Sequence, residues 1–198
     1  MERPAGVKAI LNRKGFATSG ELEKEGISRT ELQRLVRRGV IERVSRGVYA
    51  LPGVVLSEHH SLAEAMQLVP RGVICLLTAL RFHGLTTQNP SEVWMAIQAK
   101  AWRPKRRGVN IHFVHFSGLA FHEGIEEHTV AGVWIRVYSA AKTVADCFKF
   151  RNKIGIDVAV EALKDFTRHH RGRANELARF ARICRVSRVM QPYLDAIE

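Results

Sequence analysis

Between residues 18 and 51 the apolar positions follow one spacing and then another. Leu22, and then Leu32, Leu35 and Val36, recur at helical intervals, with Ile27 between the two sets. Residues 40–44 and 47–51 read instead as extended segments on either side of a Ser45-Arg46-Gly47 turn. The polar positions agree with these boundaries. Thr18 with Glu21, and Ser28 with Glu31, have the spacing at which hydroxyl and carboxylate satisfy the free N–H groups that open a helix. Gly26 and Gly39 stand where helices end. The pattern predicts two short capped helices followed by a two-stranded wing, the outline of a winged helix-turn-helix. Residues 4–11 supply a first helix, Gly15-Phe16-Ala17 an extended link placed to pair with the wing, and Pro52-Gly53 a break.

Beyond the break the period changes several times. Ser57 opens a helix with Leu62, Ala65, Met66 and Val69 on one side, stopped by Pro70, which reads as a connector. Residues 72–83 form an apolar run read as a helix that Gly84 closes. Residues 92–97, 109–116 and 133–138 read as strands, with shorter extended pieces at 119–121 and 127–130, giving a small antiparallel or mixed sheet. Ser139 then caps a helix over residues 140–150, and residues 156–167, 175–184 and 187–197 extend the helical end. The expected fold is α+β in two domains. A winged helix-turn-helix occupies residues 1–53, and a larger mixed domain with a small sheet and C-terminal helices occupies residues 54–198.

The second helix of the winged motif carries the informative chemistry on its outer face. At about 100° per residue, Leu32, Leu35 and Val36 share one side while Thr30, Gln33, Arg34 and Arg37 point away. Arg bridges guanine O6 and N7, Gln bridges adenine N6 and N7, and Thr contacts thymine or a phosphate, so this set suits a helix lying in a major groove. A merely solvated face mixes acids with its bases, and here only Glu31, already assigned to a cap, is acidic. Arg29, Arg43, Ser45 and Arg46 are the corresponding candidates for phosphate or minor-groove contact.

Charge widens that picture. Among 198 residues, 31 Lys and Arg against 19 Asp and Glu leave a formal net charge of +12, which predicts a polyanionic partner without choosing between DNA and RNA. Two basic segments lie outside the winged motif. Residues 100–108 form a Pro- and Gly-containing loop with Trp102 inside it. Arg168, Arg171, Arg173, Arg179, Arg182, Arg185 and Arg188 line the late helices, the last four spaced by three as a slowly drifting stripe.

Catalytic chemistry finds little purchase. Gln98 and Lys100 follow an apolar strand in the manner of a metal-dependent nuclease motif, but the acidic ligands such a motif needs are missing. His112 and His115 point to opposite faces of one strand, and His59-His60 and His169-His170 diverge on helices, so no metal site is expected. Lys142 and Asp146, one turn apart, read as a helix-surface pair. No phosphate-binding glycine loop or nucleophile elbow is present, so no cofactor and no enzymatic activity are expected. Cys75, Cys147 and Cys184 are isolated and read as buried small hydrophobes. Without a signal-peptide core or an apolar run of membrane length, the expected location is the cytoplasm.

Three segments add a resemblance. Arg46 to Pro52 after a winged helix, residues 79–87 (ALRFHGLTT) followed by Pro90, and residues 139–155 (SAAKTVADCFKFRNKIG) resemble, in that order, the AbiEi family of antitoxins. The resemblance implies a type IV toxin–antitoxin component in bacterial phage defence. Its winged domain would bind inverted repeats in its own promoter as an autorepressor. Its larger domain would be required to neutralise a nucleotidyltransferase-like toxin, with no need of a stable complex. On this reading Arg179, Arg182, Arg185 and Arg188 are a surface for antitoxicity or for a second stretch of nucleic acid. Two other readings stand beside it. One is a plain winged-helix regulator whose second domain senses a small ligand between the Trp94 and Phe113 strands. The other is an RNA-binding or RNA-modifying protein that uses the late arginines and the Trp102 loop.

Overall fold

The caps and apolar spacings of the first fifty residues produce helices and strands in the expected order. In the computed structural model, which describes residues 4–45, 47–52, 58–99, 101, 109–130 and 133–197, α1 (Pro4–Lys14) leads into β1 (Phe16–Thr18), α2 (Ser19–Lys24) and α3 (Arg29–Arg37). The wing follows as β2 (Glu42–Ser45) and β3 (Val48–Ala50). The extended link is β1, and it pairs antiparallel with β3, so the wing is a three-stranded sheet in the order β1-β3-β2. One face of that sheet, through Ala17 and Tyr49, closes a core with Val7, Leu11, Leu22, Leu32 and Leu35.

The other face of the wing is covered too. α4 (Glu58–Leu68) runs across it, and Ala63 joins a buried cluster with Phe16, Val48 and Ala50, with Val133 packed at its margin. The opposite side of α4, through Leu62, Ala65 and Met66, packs on a second sheet. Residues 62–66 are all buried as a result. Glu64 lies among them and accepts a hydrogen bond from the Val109 N–H at 3.2 Å.

That second sheet contains β4 (Val73–Ile74), β5 (Val93–Gln98), β6 (Ile111–Phe116), β7 (Ile125–Val130) and β8 (Val133–Tyr138), in the order β6-β5-β4-β8-β7. It is mixed: β4 with β8 and β5 with β6 are parallel, whereas β4 with β5 and β7 with β8 are antiparallel. α4 covers one face. α5 (Leu76–Phe82) and α7 (Ala140–Lys149) cover the other, backed by α9 (Ile156–His169) and α10 (Ala174–Ile183). Short α6 (Leu119–His122) and α8 (Arg151–Ile154), and the terminal α11 (Ser187–Asp195), complete the helices of the described residues. The fold is therefore α+β, a winged helix-turn-helix followed by a larger mixed domain.

Several local expectations need correction. The apolar run at 72–83 is not one helix: Val73 and Ile74 form the central strand, and helix starts only at Leu76, which sits at φ 46°. An apolar segment buried on every side has no amphipathic period to separate strand from helix. Residues 119–121, read as extended, form α6. Trp94 and Phe113 pack on opposite faces of the sheet: Trp94 stacks on His112 with ring centroids 3.9 Å apart beside the core under α5 and α7, and Phe113 packs against the core on the α4 side.

The largest correction concerns Lys142 and Asp146, which are an interior pair and not a surface one. Residues 140–148 of α7 are all buried, and both charged side chains are fully enclosed. The Lys142 ammonium donates to Asp146 and lies 4.2 Å from the centre of the Tyr138 ring and 5.0 Å from that of Phe116. The Cys184 thiol donates to the other Asp146 oxygen at 3.1 Å. Burial pushes the Asp146 carboxyl above the usual carboxylate range, and Lys142 pulls it back. Burial likewise drives Cys75 and Cys147 well up and takes Cys184 up to about 12; all three cysteines are buried, as the sequence suggested, and Cys184 in addition bonds to Asp146. Glycine is required where α10 closes on this site. Gly124 has φ 75°, and an added Cβ would lie 2.8 Å from Phe180 and 2.9 Å from Lys142.

Removing one member of an enclosed pair strands the other, whereas removing both does not. Lys142→Met should therefore lower the stability of the larger domain by about 3–5 kcal/mol, and Lys142→Met with Asp146→Leu should lose much less. Urea unfolding of the two variants checks this, and equal losses would mean the two charges are not coupled.

Candidate nucleic-acid interface

The helices of the winged unit are held by local polar bonds before any packing is counted. The Thr18 hydroxyl accepts the Glu21 N–H at 3.2 Å, and the Glu21 carboxylate accepts the Thr18 N–H at 2.8 Å, a complete capping box for α2. The second Glu21 oxygen takes the Lys14 ammonium at 2.8 Å, which ties α1 to α2. Burial alone would raise the Glu21 carboxyl, but the bonds from Lys14 and Thr18 outweigh it and hold the group below its ordinary value. The second cap is partial. The Ser28 hydroxyl accepts the Glu31 N–H at 3.2 Å, while the Glu31 carboxylate faces Arg34 at 3.7 Å.

With α3 anchored by buried Leu32 and Leu35, its opposite side faces out. The side chains of Thr30, Gln33 and Arg37 are exposed and make no hydrogen bond or ion pair among the described residues. Arg34 is exposed beside Glu31, and Arg29 meets Glu23 at 2.5 Å while staying largely exposed. Between α3 and the wing lies a groove of about 680 Å³, to which Arg29, Gln33 and Arg37 contribute from the helix and Arg43 and Tyr49 from the wing. Four of the residues singled out from the sequence, Arg29, Gln33, Arg37 and Arg43, thus line one groove, and Thr30 and Arg34 are exposed on the same helix.

The wing is fixed to this surface by backbone. Gly47 has φ 82°, which favours glycine, and its carbonyl accepts the Ser19 N–H at 2.7 Å, pinning the turn to the start of α2. Arg43 stands opposite Tyr49 in the ladder, and the register shifts between Arg43 and Ser45. Arg46 and the Ser45 side chain, both wing-tip candidates, lie outside the described residues. Ser19 and Leu68 also line the groove and were not foreseen. Ser19 follows the capping Thr18, so the cap itself was a signal for it. Leu68 comes from α4, and no local pattern places that helix beside α3.

The late arginines are arranged differently from the expected stripe. α10 stops at Ile183 and the chain turns through Arg185 at φ 59° before α11, so no single helix carries them. Arg179 is paired with Glu123 at 2.5 Å, while Arg182, Arg185 and Arg188 are exposed without an ion pair among the described residues. The His pair on β6 behaves as expected: His112 stacks on Trp94, and His115 points to the other side and is exposed. Among the described residues no group of His, Cys, Asp or Glu is disposed to hold a metal ion, and no helix is long and apolar enough to cross a membrane.

A capped two-helix turn, a basic outward face on its second helix and a tethered three-stranded wing define a winged helix-turn-helix module of the kind found in DNA-binding regulators. Residues 7–52 match a family of transcriptional regulators described as AbiEi antitoxin, so the winged module is similar to theirs. The match begins within α1 and ends just after β3. A search of curated proteins finds no match.

The depressed Glu21 carboxyl makes the winged unit acid-sensitive in one direction. Its contribution is present above the ordinary carboxylate range and is lost as pH falls through the lowered folded value. Glu21→Gln, which keeps the capping geometry, should unfold more easily than the parent at neutral pH, and the two should converge in acid. Parallel pH profiles of thermal unfolding would show that the Lys14 and Thr18 bonds contribute nothing.

Proposed function

We propose that this protein is a sequence-specific DNA-binding antitoxin that represses its own operon. One observation carries the reading: the side of α3 opposite Leu32 and Leu35 leaves Thr30, Gln33 and Arg37 exposed and unengaged beside a groove edged by Arg29 and Arg43. α3 enters the major groove of duplex DNA, where Gln33 and Arg37 read base edges and Thr30 and Arg34 contact bases or adjacent phosphates. Arg29, Arg43, Ser45 and Arg46 hold the backbone. The match of residues 7–52 to AbiEi antitoxin regulators supports this choice over an RNA-binding role, and the net charge of +12 supplies the nonspecific attraction.

The division of labour follows the same family. Residues 1–53 read DNA at inverted repeats in the promoter, and residues 54–198 counteract a nucleotidyltransferase-like toxin without requiring a stable complex. Within the second domain, Arg182, Arg185 and Arg188, together with Arg179, form the surface on which antitoxicity depends. No catalytic step and no cofactor is involved, and the protein works in the cytoplasm as part of a type IV phage-defence system.

Gln33→Ala and Arg37→Ala should each weaken operator binding by about 1–3 kcal/mol while leaving the unfolding midpoint unchanged. Arg43→Ala and Arg46→Ala should instead weaken operator and random duplex alike and lower the salt slope by about one. Gel-shift titrations at several salt concentrations separate the two groups, and unchanged operator affinity of the α3 variants would remove the groove-reading role.

The boundary between the units crosses the α4 seam. A fragment of residues 1–53 exposes Phe16, Val48 and Ala50, so it should melt well below one extended through residue 70, which keeps Ala63. Equal midpoints for the two fragments would mean that the seam adds no stability to the winged unit.

A further inference from the structure

A cleft in the helical end of the second domain is used by nothing described so far. α9, α10 and α11 frame a cavity of about 430 Å³, within the about 300–1,000 Å³ typical of small-molecule sites. Its interior is apolar, built on Phe166, Leu177, Ala181, Met190 and Leu194. Ala174, Ala178 and Ala181 present short side chains to it along about 10 Å of α10, so the cavity is elongated in the direction of that helix. Polar groups stand at its margin: Thr167, Asn175, Gln191 and His170, whose ring stacks on Phe166 with centroids 5.1 Å apart.

At one end the cleft meets a second recess of about 480 Å³ through two shared residues, Thr167 and Ile197. This recess is polar and basic. Lys164 and Arg168, one turn apart on α9, both line it. Lys164 carries no ion pair among the described residues, and Arg168 meets Asp165 at 3.3 Å with its side chain still 69% exposed. Lys164 and Arg168 give the described lining of this recess its basic character. The arrangement is thus an apolar slot with a basic end.

We propose that this cleft binds an amphiphilic monoanion, a medium-chain fatty acid or an acid of the same shape, with its hydrocarbon on the Phe166, Leu177 and Met190 floor and its carboxylate at Lys164 and Arg168. Apolar burial supplies the affinity, and the cation pair selects an acid over a neutral chain of equal length. The site lies in the domain away from the winged module and does not depend on what that module binds.

Titration calorimetry on the full chain with decanoate and with 1-decanol tests the assignment. Decanoate should bind saturably below its micelle concentration and more tightly than decanol. Lys164→Gln with Arg168→Gln should weaken decanoate by about tenfold and leave decanol unchanged. Ala178→Trp, at an exposed position lining the cleft, should abolish binding of both without lowering the unfolding midpoint of the free protein. No saturable decanoate binding, binding that survives Ala178→Trp, or an equal loss for acid and alcohol in the Lys164 and Arg168 variant would each overturn the proposal. Binding of decanoate that follows all three expectations would establish it.

Discussion

The rest of the molecule depends on α4 being wanted by two sheets at once. The three-stranded wing has apolar side chains on both faces, and a sheet that thin cannot leave Phe16, Val48 and Ala50 in water without losing much of its stability. The mixed sheet of the second domain likewise needs a cover for Ile74, Met95, Ile135 and Val137. One helix serves both, with Ala63 turned to the wing and Leu62, Ala65 and Met66 turned to the larger sheet. On the wing's other face Leu32 and Leu35 anchor α3 and leave its polar side outward. The end of α4 then brings Leu68 to the groove that α3 and the wing share. In energetic terms the winged module and the remaining domain are neighbours with a common wall.

The winged half was legible because its signals are local. Thr18, Glu21, Ser28, Gly26 and Gly39 act over three or four residues, and the structure places a cap or a helix end at each. The outward direction of Thr30, Gln33, Arg34 and Arg37 followed from helical period alone. What was not legible is whatever depends on distant chain. The strand at Val73 and Ile74 lies in a run buried on both sides, so its hydrophobicity has no period, and only its neighbours β5 and β8 make it extended. The break in the arginine stripe rests on the turn at residues 184–186, where the 6-to-1 bond from Val186 to Ala181, the 5-to-2 bond from Arg185 to Arg182 and Arg185 at positive φ end α10 without a glycine to announce it.

Lys142 shows the limit most clearly. A lysine and an aspartate four residues apart are, as a sequence, indistinguishable from an exposed helix pair. Their burial is set by Tyr138 and Phe116 beneath the ammonium and Cys184 against the carboxylate, contributed by β8, β6 and the end of α10. The same site explains why two of the segments that carry the family resemblance stand together. His83, in the second segment, bonds at 2.7 Å to the carbonyl of Tyr138, the residue immediately before the third. Those segments hold the second domain in shape, whereas the first contributes β3 to the wing.

The central claim is that the basic outer face of α3 selects a particular DNA sequence and does not merely adhere to polyanions. Nuclease footprinting of the full protein on the DNA upstream of its own gene, repeated as salt is raised, measures this directly. The account predicts a discrete protected region that persists at salt concentrations where binding to random duplex has been lost, and that disappears for Gln33→Ala combined with Arg37→Ala. Uniform protection that fades with salt at the same rate as random duplex would contradict it.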